Sequence, residues 1–438
     1  MSATETARGP CGAELTAQPP LNDIAGAAPA QGDFLHHTPK AASRGDPVVH
    51  LLALNSGSSS LKFGLYRVGS GGGVVGVLTG EAETVGGAAA VIHAEGEGGR
   101  SLLHEACPTT GASDVLSRIG KLLADGPWPA PRAIGHRIVH GGPRVRRHCV
   151  VDAGVMGELE AAVAFAPLHT PAALAVLRCA AEHFPGLPQV ACLDTCFHAG
   201  MPPVASTLPL PPALRAAGLQ RYGFHGLSCE SIVHELAAAL PPRLVVAHLG
   251  NGASITAVRR GQSIDTSMGL TPTGGLIMGT RSGDLDPGVI VHLMREMQFD
   301  AAMVEDLVDH RCGLLGISGL SGDMRALHAA AATDVQARLA IEMFCYRVAK
   351  EVGAMGTALG GIDELVFTGG IGENDAVVRA SVCARLAWLG VALDDARNRR
   401  GTGRVSGDAS RCAVQVLPSQ EDLQIARHTW ALRDRWPR

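Results

Sequence analysis

The chain has 438 residues, of which 46% are hydrophobic, and carries a formal net charge of −4 at pH 7. This length is enough for two or three domains, each with a hydrophobic core of its own. Because the sequence has neither a basic run nor an excess of positive charge, it does not suggest a nucleic-acid or membrane-surface partner. We therefore expect a small-molecule ligand.

The eleven cysteines form no C-x-x-C pair and no cluster with histidines at zinc spacing, which favours a reducing cytoplasmic setting. No apolar run reaches the roughly 18 residues that a membrane-spanning helix needs. The N-terminus also lacks the basic start and apolar block of a secretory signal. Residues 1–47 are rich in Ala, Gly and Pro with little periodicity, so we predict a disordered or weakly ordered extension.

The first periodic segment, Leu51 to Tyr66, reads LLALNSGSSSLKFGLY. Its apolar start predicts a strand over Val48–Leu54, and the alternation from Leu61 to Tyr66 predicts a second strand, so the unit is a β-hairpin. The polar tip offers backbone N–H and hydroxyl groups to an anion, although it lacks the GKS or GKT ending of a Walker loop. A serine-rich turn without a ligand would look similar, and this segment alone does not separate the two interpretations.

Beyond Pro47, strands alternate with helices, which indicates an α/β protein with sheets covered by helices. Helices are predicted over Pro171–Phe184, Leu227–Leu240, Asp334–Leu359 and Ala376–Leu389. Arg243 to Val258, RLVVAHLGNGASITAV, repeats the pattern of the first hairpin: an apolar strand, a Gly/Asn/Ser tip and an alternating second strand. The recurrence of this pattern at Asn55 and Asn251 predicts a duplicated domain whose hairpin tips face a polyphosphate.

A third glycine-rich segment, Leu365 to Asp375, reads LVFTGGIGEND and runs from a strand towards the helix predicted near Ala376. Backbone N–H groups and a helix dipole at such a turn can hold an anion or a nucleotide sugar. Tight packing of a strand against a helix produces the same pattern. The segment by itself leaves both interpretations open.

The motifs taken together are more specific than any one of them alone. In chain order they are LNSGSSSLKF, GHRIVHGG, FAPLHTP, DTCFH, RYGFHGLS, HLGNGAS, DTSMGLTPTGGLIMGTRSGDLDP, GLSGDMR, FTGGIGEN and SQED. With these motifs in this order, the chain closely resembles the acetate kinases from about residue 48 to 430. The resemblance implies the acetate and sugar kinase, heat-shock chaperone and actin superfamily: an α/β fold of two duplicated RNase H-like domains with an interdomain nucleotide cleft. A homodimer is the usual assembly.

The implied domains are an N-terminal RNase H-like domain at 48–198 and a C-terminal nucleotide-binding one at 199–420. A C-terminal helix at 421–438 is expected to pack back towards the first domain. The implied reaction is reversible phosphoryl transfer between ATP and acetate, giving ADP and acetyl phosphate, with Mg²⁺ or alternatively Mn²⁺. By resemblance, the catalytic residues are Arg137, His169, Asp194, His225 and Arg281.

Acetate is already ionised at pH 7, so its phosphorylation does not require removal of a proton. We therefore expect Asp194 to orient water, metal or an arginine, with a general base as the alternative. The resemblance places Asn55 and Glu421 near the metal. It places the phosphates and nucleoside beside Ser58, Ser60, Lys62, His248, Leu249, Gly250, Asn251, Gly252, Asp323, Met324, Arg325, Gly370, Ile371, Gly372, Glu373 and Asn374. It forms the acetate pocket from Val139, Leu168, Phe224 and Pro272, beside Arg137.

Four positions depart from the family pattern: Pro143, Thr170, Cys229 and Thr273–Gly274 stand where Glu, Asn, His and Leu-Glu are usual. Pro143 removes a carboxylate near the metal and stiffens the backbone. A propionate or other short-chain acyl kinase is the nearest alternative, because one methylene is worth only ~1–3 kcal/mol in an apolar pocket. A butyrate kinase fits less well, since its first loop generally reads differently. A nucleotide-binding interaction protein is a further alternative, but such a protein has no need of a phosphoryl clamp.

Overall fold

The computed structural model describes residues 48–57, 60–69, 72–85, 90–106, 111–167 and 169–437. The predictions made for residues 1–47, Ser58 and Leu168 therefore lie outside the described residues. Strands within the described ranges are β1 Val49–Ser56, β2 Ser60–Val68, β3 Val74–Glu83, β4 Val91–Gly96, β5 Arg100–Ala106, β6 Ala133–Ile138, β7 Cys149–Val150, β8 Gln189–Leu193, β9 Arg243–Leu249, β10 Ala253–Arg259, β11 Gln262–Thr266, β12 Glu364–Thr368, β13 Gly403–Arg404 and β14 Ala413–Val416.

Helices within the same ranges are α1 Ala112–Asp125, α2 Ala153–Ala161, α3 Thr170–His183, α4 Pro203–Ser206, α5 Pro212–Ala216, α6 Gly226–Leu236, α7 Pro287–Glu296, α8 Ala301–Asp306, α9 Gly313–Ser318, α10 Met324–Ala330, α11 Val335–Leu359, α12 Gly369–Asn374, α13 Ala376–Arg385, α14 Asp395–Arg400 and α15 Glu421–Ala431. Among these helices, none combines the length and the apolar character needed to cross a bilayer.

The first sheet has the strand order β5-β4-β3-β2-β1-β6-β8-β7. β1 pairs with β2 in antiparallel register, with Leu54 opposite Phe63, which confirms the predicted first hairpin. β1 also pairs with β6, and β6 with β8, in parallel register. β1 is almost wholly buried because helices cover both faces of the sheet, as is usual where strands run parallel.

The second sheet has the strand order β11-β10-β9-β12-β14-β13. β9 is antiparallel to β10 and parallel to β12, which is in turn parallel to β14. The runs β3-β2-β1-β6-β8 and β11-β10-β9-β12-β14 thus share one order and one set of strand directions. This repetition confirms the predicted α/β fold with a duplicated domain. The domain boundaries at 198/199 and 420/421 stay predictions.

The helices that cover the sheets are amphipathic in the expected way. Phe344 and Val348 of α11 share a buried cluster with Val245 of β9, whereas Ile232 of α6 shares another cluster with Val246, the neighbouring residue of the same strand. Successive side chains of a strand point to opposite faces, so α11 and α6 lie on opposite faces of the second sheet. Both helices were predicted from the sequence.

Three details of the predicted helices differ. α6 ends at Leu236, before the predicted Leu240. α13 begins at Ala376 as expected but ends at Arg385, before the predicted Leu389. α12 was not predicted: the chain passes directly from β12 into this short helix. Asp375 separates the two helices, because its side chain caps α13 by accepting from the N–H groups of Val377 and Val378.

The C-terminal helix α15 packs on the first sheet. Its Ile425 shares a buried cluster with Ala53 of β1 and Val190 of β8. A Cβ on Gly135 of β6 would stand 2.6 Å from Cγ2 of Ile425, so the close approach requires glycine at this point of the strand. This packing brings Glu421, the first residue of α15, back to the end of β1.

Candidate active site

The predicted site residues gather where parallel strands end. β1, β6 and β8 run side by side, with Leu54 level with His136, and Ile138 level with Leu193. In the second sheet His248 at the end of β9 is level with Thr368 at the end of β12. The carboxyl ends of parallel strands are the usual place for ligands in α/β proteins.

Arg137 and Asp194 form a buried ion pair. Nε and Nη2 of Arg137 lie 2.8 Å and 2.7 Å from Oδ2 of Asp194, whose side chain is inaccessible to solvent. Burial raises the pKa of Asp194 to about 6, although the charge of Arg137 acts in the opposite sense. The carboxylate is therefore mainly ionised at pH 7, and it fixes the orientation of the guanidinium group.

Arg281 is fixed by a different kind of partner. Its Nη2 lies 2.9 Å from Nε2 of His169, and its Nη1 lies 3.4 Å from the carbonyl oxygen of Pro272. Burial, together with the charges of Arg281 and Arg137, lowers the pKa of His169 to about 3. The imidazole is thus neutral and accepts at Nε2, which leaves its proton on Nδ1. His169 serves as a neutral hydrogen-bond acceptor that orients Arg281.

His225 precedes α6 in a left-handed backbone conformation, with φ of 59°, which is uncommon for residues other than glycine. Its Nδ1 lies 3.0 Å from Oγ of Ser254. Burial, followed by the influence of His248 and the two arginines, lowers the pKa of His225 well below 6.5. The ring is therefore neutral, and its strained backbone is held by a buried hydrogen bond.

Gly252, in the turn between β9 and β10, lies against both His225 and Arg281. A Cβ at this position would stand 3.3 Å from Nε2 of His225 and 3.3 Å from Nη1 of Arg281. Glycine therefore leaves both nitrogen atoms uncovered. These two hydrogen-bonding groups point to one location, where they can meet a single ligand group.

A chain of hydroxyl groups sets the tautomer of His248. Oγ of Ser419 donates to Oγ of Ser228 at 3.0 Å, and Oγ of Ser228 lies 2.8 Å from Nδ1 of His248. Ser228 thus donates to Nδ1, and the ring proton lies on Nε2. A Cβ on Gly369 would stand 3.2 Å from this Nε2, so the N–H group faces the glycine-rich turn after β12.

Sequence reasoning missed Ser228, Ser254 and Ser419 as supporting residues. Each of them lies within or next to a recognised motif: FHGLS, HLGNGAS and SQED. The motifs therefore contained these serines. The hydrogen bonds of Ser228 and Ser254 to histidines could not be predicted, because the partners are distant in the sequence.

Asn55 links two acids at the start of α15. Its Nδ2 donates to Oε2 of Glu421 at 3.1 Å and to Oδ1 of Asp422 at 2.7 Å. Burial raises the pKa of Asp422 to about 6; the hydrogen bond from Asn55 opposes this change, and the nearby charge of Glu421 adds to it. Two carboxylates and an amide supply the oxygen ligands that Mg²⁺ prefers, so these residues fit a divalent cation. Asp422 was missed, although it is adjacent to Glu421 in the sequence.

Two further groups of predicted nucleotide residues are the segment 323–325 and the pair Ser60 and Lys62. Asp323 caps α10 by accepting from the N–H of Arg325 at 2.9 Å, and its carboxylate pairs with the guanidinium of that exposed residue at 2.7 Å. Met324 between them is buried. This segment therefore presents an exposed ion pair above an apolar contact. Ser60 and Lys62 lie at the start of β2, with Lys62 exposed and opposite Asn55.

The glycine-rich segment around α12 includes a buttressing side chain, Glu373, and an accessible backbone at Gly370. Oε1 of Glu373 accepts from the N–H groups of Gly369 at 2.9 Å and Ser419 at 3.0 Å. Glu373 thus ties α12 to the segment before α15. A Cβ on Gly370 would meet nothing within 4 Å, so its backbone is open to a ligand. Other predicted ligand contacts in this part of the second sheet are Leu249, Gly250, Asn251, Ile371, Gly372 and Asn374.

The predicted acetate pocket is apolar where the structure describes it. Val139 and Phe224 are buried in one cluster with Ala166 and Met278. Pro272 joins this wall to the charged site, because its carbonyl oxygen contacts Arg281. An apolar wall next to a guanidinium suits a short carboxylate with a methyl end.

Each position that departs from the family pattern has a local environment that the structure describes. Pro143 lies against Gly218, where a Cβ would stand 3.1 Å from its Cγ. Thr273 hydrogen-bonds to Asp309 through its hydroxyl group. Burial raises the pKa of Cys229 to about 12, so its thiol is neutral at pH 7. Thr170 is buried as the first residue of α3.

Behind the site, His148, Glu230 and His428 bring three metal-capable side chains together. The N–H of Leu193 donates to Nδ1 of His148 at 3.0 Å, which leaves the proton of the neutral ring on Nε2, the atom that faces Glu230 at 3.6 Å. The two imidazole rings lie 3.8 Å apart and only 31° from parallel, so their lone pairs do not converge well on one ion. We interpret the cluster as a hydrogen-bonded link between α6 and α15.

Comparison with known proteins identifies the family. Residues 50–427 match the family model described as the Acetokinase family. The chain belongs to the acetokinase family. It is 42% identical over 389 residues to an acetate kinase of Nitrobacter hamburgensis, a match that covers 87% of this chain and 96% of that relative.

Solved acetokinase-type structures show the same fold. A propionate kinase of Francisella tularensis aligns with a TM-score of 0.81 at 36% identity, covering 87% of this chain and 99% of that chain. An acetate kinase of Porphyromonas gingivalis aligns with a TM-score of 0.77 at 34% identity, covering 88% and 100%. The predicted family and fold are thereby confirmed, whereas the roles of individual site residues stay predictions.

Proposed function

We propose that this acetokinase-family protein catalyses reversible phosphoryl transfer between ATP and acetate, giving ADP and acetyl phosphate. The observation that carries the proposal is the pair of arginines, Arg137 and Arg281, the first fixed by the buried Asp194 and the second by the partly buried His169. Phosphoryl transfer depends mainly on alignment and on neutralising charge at the transferred group. Two immobilised guanidinium groups meet that need, because each can contact two oxygen atoms at once.

In this proposal the second sheet binds the nucleotide. His248 offers Nε2–H towards the glycine-rich turns, and Gly370 leaves its backbone open, so both suit phosphate oxygens or the nucleoside. Arg281 and Nε2 of His225 face the transferred phosphoryl group, while Arg137 holds the acetate carboxylate. The apolar wall of Val139 and Phe224 contacts the methyl group.

We propose Mg²⁺ as the metal, held by Glu421, Asp422 and Asn55, where it would neutralise charge on the phosphate oxygens. Glu421→Gln removes one carboxylate charge and is expected to raise the Mg²⁺ concentration for half-maximal rate by about 10-fold or more. The same change should weaken binding of Mn²⁺–ADP, measured by the electron paramagnetic resonance signal of free Mn²⁺. Glu296→Gln on exposed α7 removes the same charge elsewhere and serves as the control; equal metal dependence in both variants would contradict the assignment.

Propionate is the second candidate acceptor, because a propionate kinase of Francisella tularensis shares the fold. The deciding experiment is a coupled assay with ATP and Mg²⁺ in which acetate, propionate and butyrate are compared by kcat/KM. We expect acetate to give the highest value, with propionate within about 10–200-fold, since one methylene discriminates weakly. The absence of turnover with all three acids would reject the proposed function.

We also propose that the protein assembles as a homodimer through α11. One face of this helix is buried in the core, yet the opposite face exposes Val335, Leu339, Met343 and Tyr346 at helical spacing. A long apolar stripe on a surface helix is typical of a protein–protein contact, and a second copy of the chain would cover it.

Substitution of Leu339 and Met343 by aspartate together is therefore expected to convert a dimer into a monomer in size-exclusion chromatography with light scattering. Gln336→Asp places one negative charge on an exposed position of the same helix outside the apolar stripe and should leave the dimer intact. If the wild-type protein has the mass of one chain, or the double variant keeps the dimer mass, this interface is wrong.

A further inference from the structure

The first sheet has a cavity at the end opposite the candidate active site. Its volume is about 600 Å³, and its lining includes His50, Arg67, Gly96, Arg100 and Trp128. His50 precedes Asn55 by five residues on β1, which separates the two sites by about 17 Å along the strand. Small-molecule sites typically have volumes of ~300–1,000 Å³, so the cavity is large enough for a drug-sized ligand.

Strand pairing explains why these residues meet. His50 of β1 is directly opposite Arg67 of β2, and cross-strand partners share one face of the sheet. Gly96 of β4 is opposite Arg100 of β5, at the same end of the sheet. Gly96 lines the cavity beside Arg100, and a Cβ on it would stand 3.0 Å from Cδ1 of Leu102. The segment around Trp128, which follows α1, closes one side.

The basic groups of the cavity have unused hydrogen-bonding capacity. The side chains of Arg67 and Arg100 are exposed, and neither makes a hydrogen bond or ion pair to a side chain that the structure describes. His50 is only 5% exposed, and its Nδ1 has no hydrogen-bond partner among the described residues. An unpartnered buried polar atom is costly, and two arginines outnumber Glu97, the acid at the rim. The lining is therefore suited to a negative charge.

The other side of the cavity is apolar and is formed mainly by side chains that contain rings. Pro127, Trp128 and Pro129 line it together with Val77. An indole ring stacks well on a planar ligand, and an arginine adds a contact of its own to such a ring. One cavity thus combines basic side chains that can bind an anionic group with apolar rings that can contact a planar one.

From these features we infer that this cavity is a binding site for a small organic anion, a carboxylate or phosphate ester attached to a planar ring. The guanidinium groups of Arg67 and Arg100 hold the anionic group, His50 completes its hydrogen bonds, and Trp128 stacks on the ring. The site is distinct from the kinase site and does not depend on the proposed reaction.

The test is a fluorescence titration of the full chain with benzoate and with phenyl phosphate, in saturating Mg²⁺, ADP and acetate so that both the nucleotide and the acetate positions of the kinase site are filled. Trp128 should report binding, and the signal should disappear in Trp128→Phe, although three other tryptophans remain. Benzyl alcohol, which has the ring without the charge, and inorganic phosphate, which has the charge without the ring, should both bind more weakly. The stronger of the two anionic probes identifies the preferred anionic group.

Variants then separate this site from nonspecific binding. Arg67→Ala and Arg100→Ala should each weaken the affinity for the better probe by about 10-fold or more, because each removes a charge-assisted contact. Arg144→Ala, at an exposed ion pair on another part of the surface, should change nothing. The inference is overturned if the double variant Arg67→Ala/Arg100→Ala binds as tightly as the wild type, or if benzyl alcohol binds as well as benzoate.

Discussion

Arg281→Ala is expected to lower kcat by about 10² to 10⁵, the range found when a charged donor is removed from the transition state of comparable reactions. Nη1 of Arg281 lies beside the location shared by Gly252 and Nε2 of His225, where the transferred phosphoryl group is proposed to pass. Interactions that strengthen only in the transition state affect kcat more than binding. The KM for ATP should therefore rise only modestly, since the glycine-rich turns and His248 still hold the nucleotide.

Arg281→Lys should recover little of this activity. The ammonium keeps the charge, but it cannot contact both Nε2 of His169 and the carbonyl oxygen of Pro272 with the planar geometry of a guanidinium. Steady-state kinetics of both variants test this, with circular dichroism to show that they are folded and Arg144→Ala as an exposed-arginine control. A variant with kcat near that of the wild type and a large rise in KM for ATP alone would show that Arg281 binds nucleotide instead.

The sequence predicted the parts of the fold that depend on local periodicity. The alternation after Ser60 and the apolar run before Asn55 predicted the β1–β2 hairpin, and the same pattern near Asn251 predicted β9–β10. These signals are strong because one residue of shift would turn every core side chain outwards. By contrast, α12 has six residues, too few to show a helical period, and its glycines favour a loop prediction.

The site was predicted as a set of residues but not as a set of contacts. Arg137 and Asp194, or Arg281 and His169, are far apart in the chain, and no local pattern indicates which arginine has a carboxylate and which a neutral imidazole. The left-handed backbone of His225 likewise gives no signal, because such conformations usually select glycine. Tertiary packing determines these features, so only the assembled sheets reveal them.

Asp194→Asn is expected to lower kcat by about 10² to 10³. The substitution keeps the size of the side chain but removes the charge that holds Arg137, whose side chain is 15% exposed. Loss of one partner from a buried charge pair costs ~2–5 kcal/mol, mostly because the other charge is left unpaired, and ~1.4 kcal/mol corresponds to a tenfold change in rate. The KM for acetate should rise as well, since Arg137 is the proposed carboxylate ligand. Kinetics in both reaction directions measure the two effects, with thermal unfolding to separate them from loss of the fold.

A double-mutant cycle separates the two roles considered for Asp194. If Asp194 acts by orienting Arg137, Arg137→Ala should lower kcat/KM about as much as Arg137→Ala combined with Asp194→Asn, because the second change then has nothing left to orient. A general base acting independently would instead give effects that multiply. We expect the first result, since acetate is ionised at neutral pH and the contacts of Asp194 Oδ2 are with the guanidinium group. Multiplying effects would show that Asp194 contributes to the reaction by a route other than Arg137.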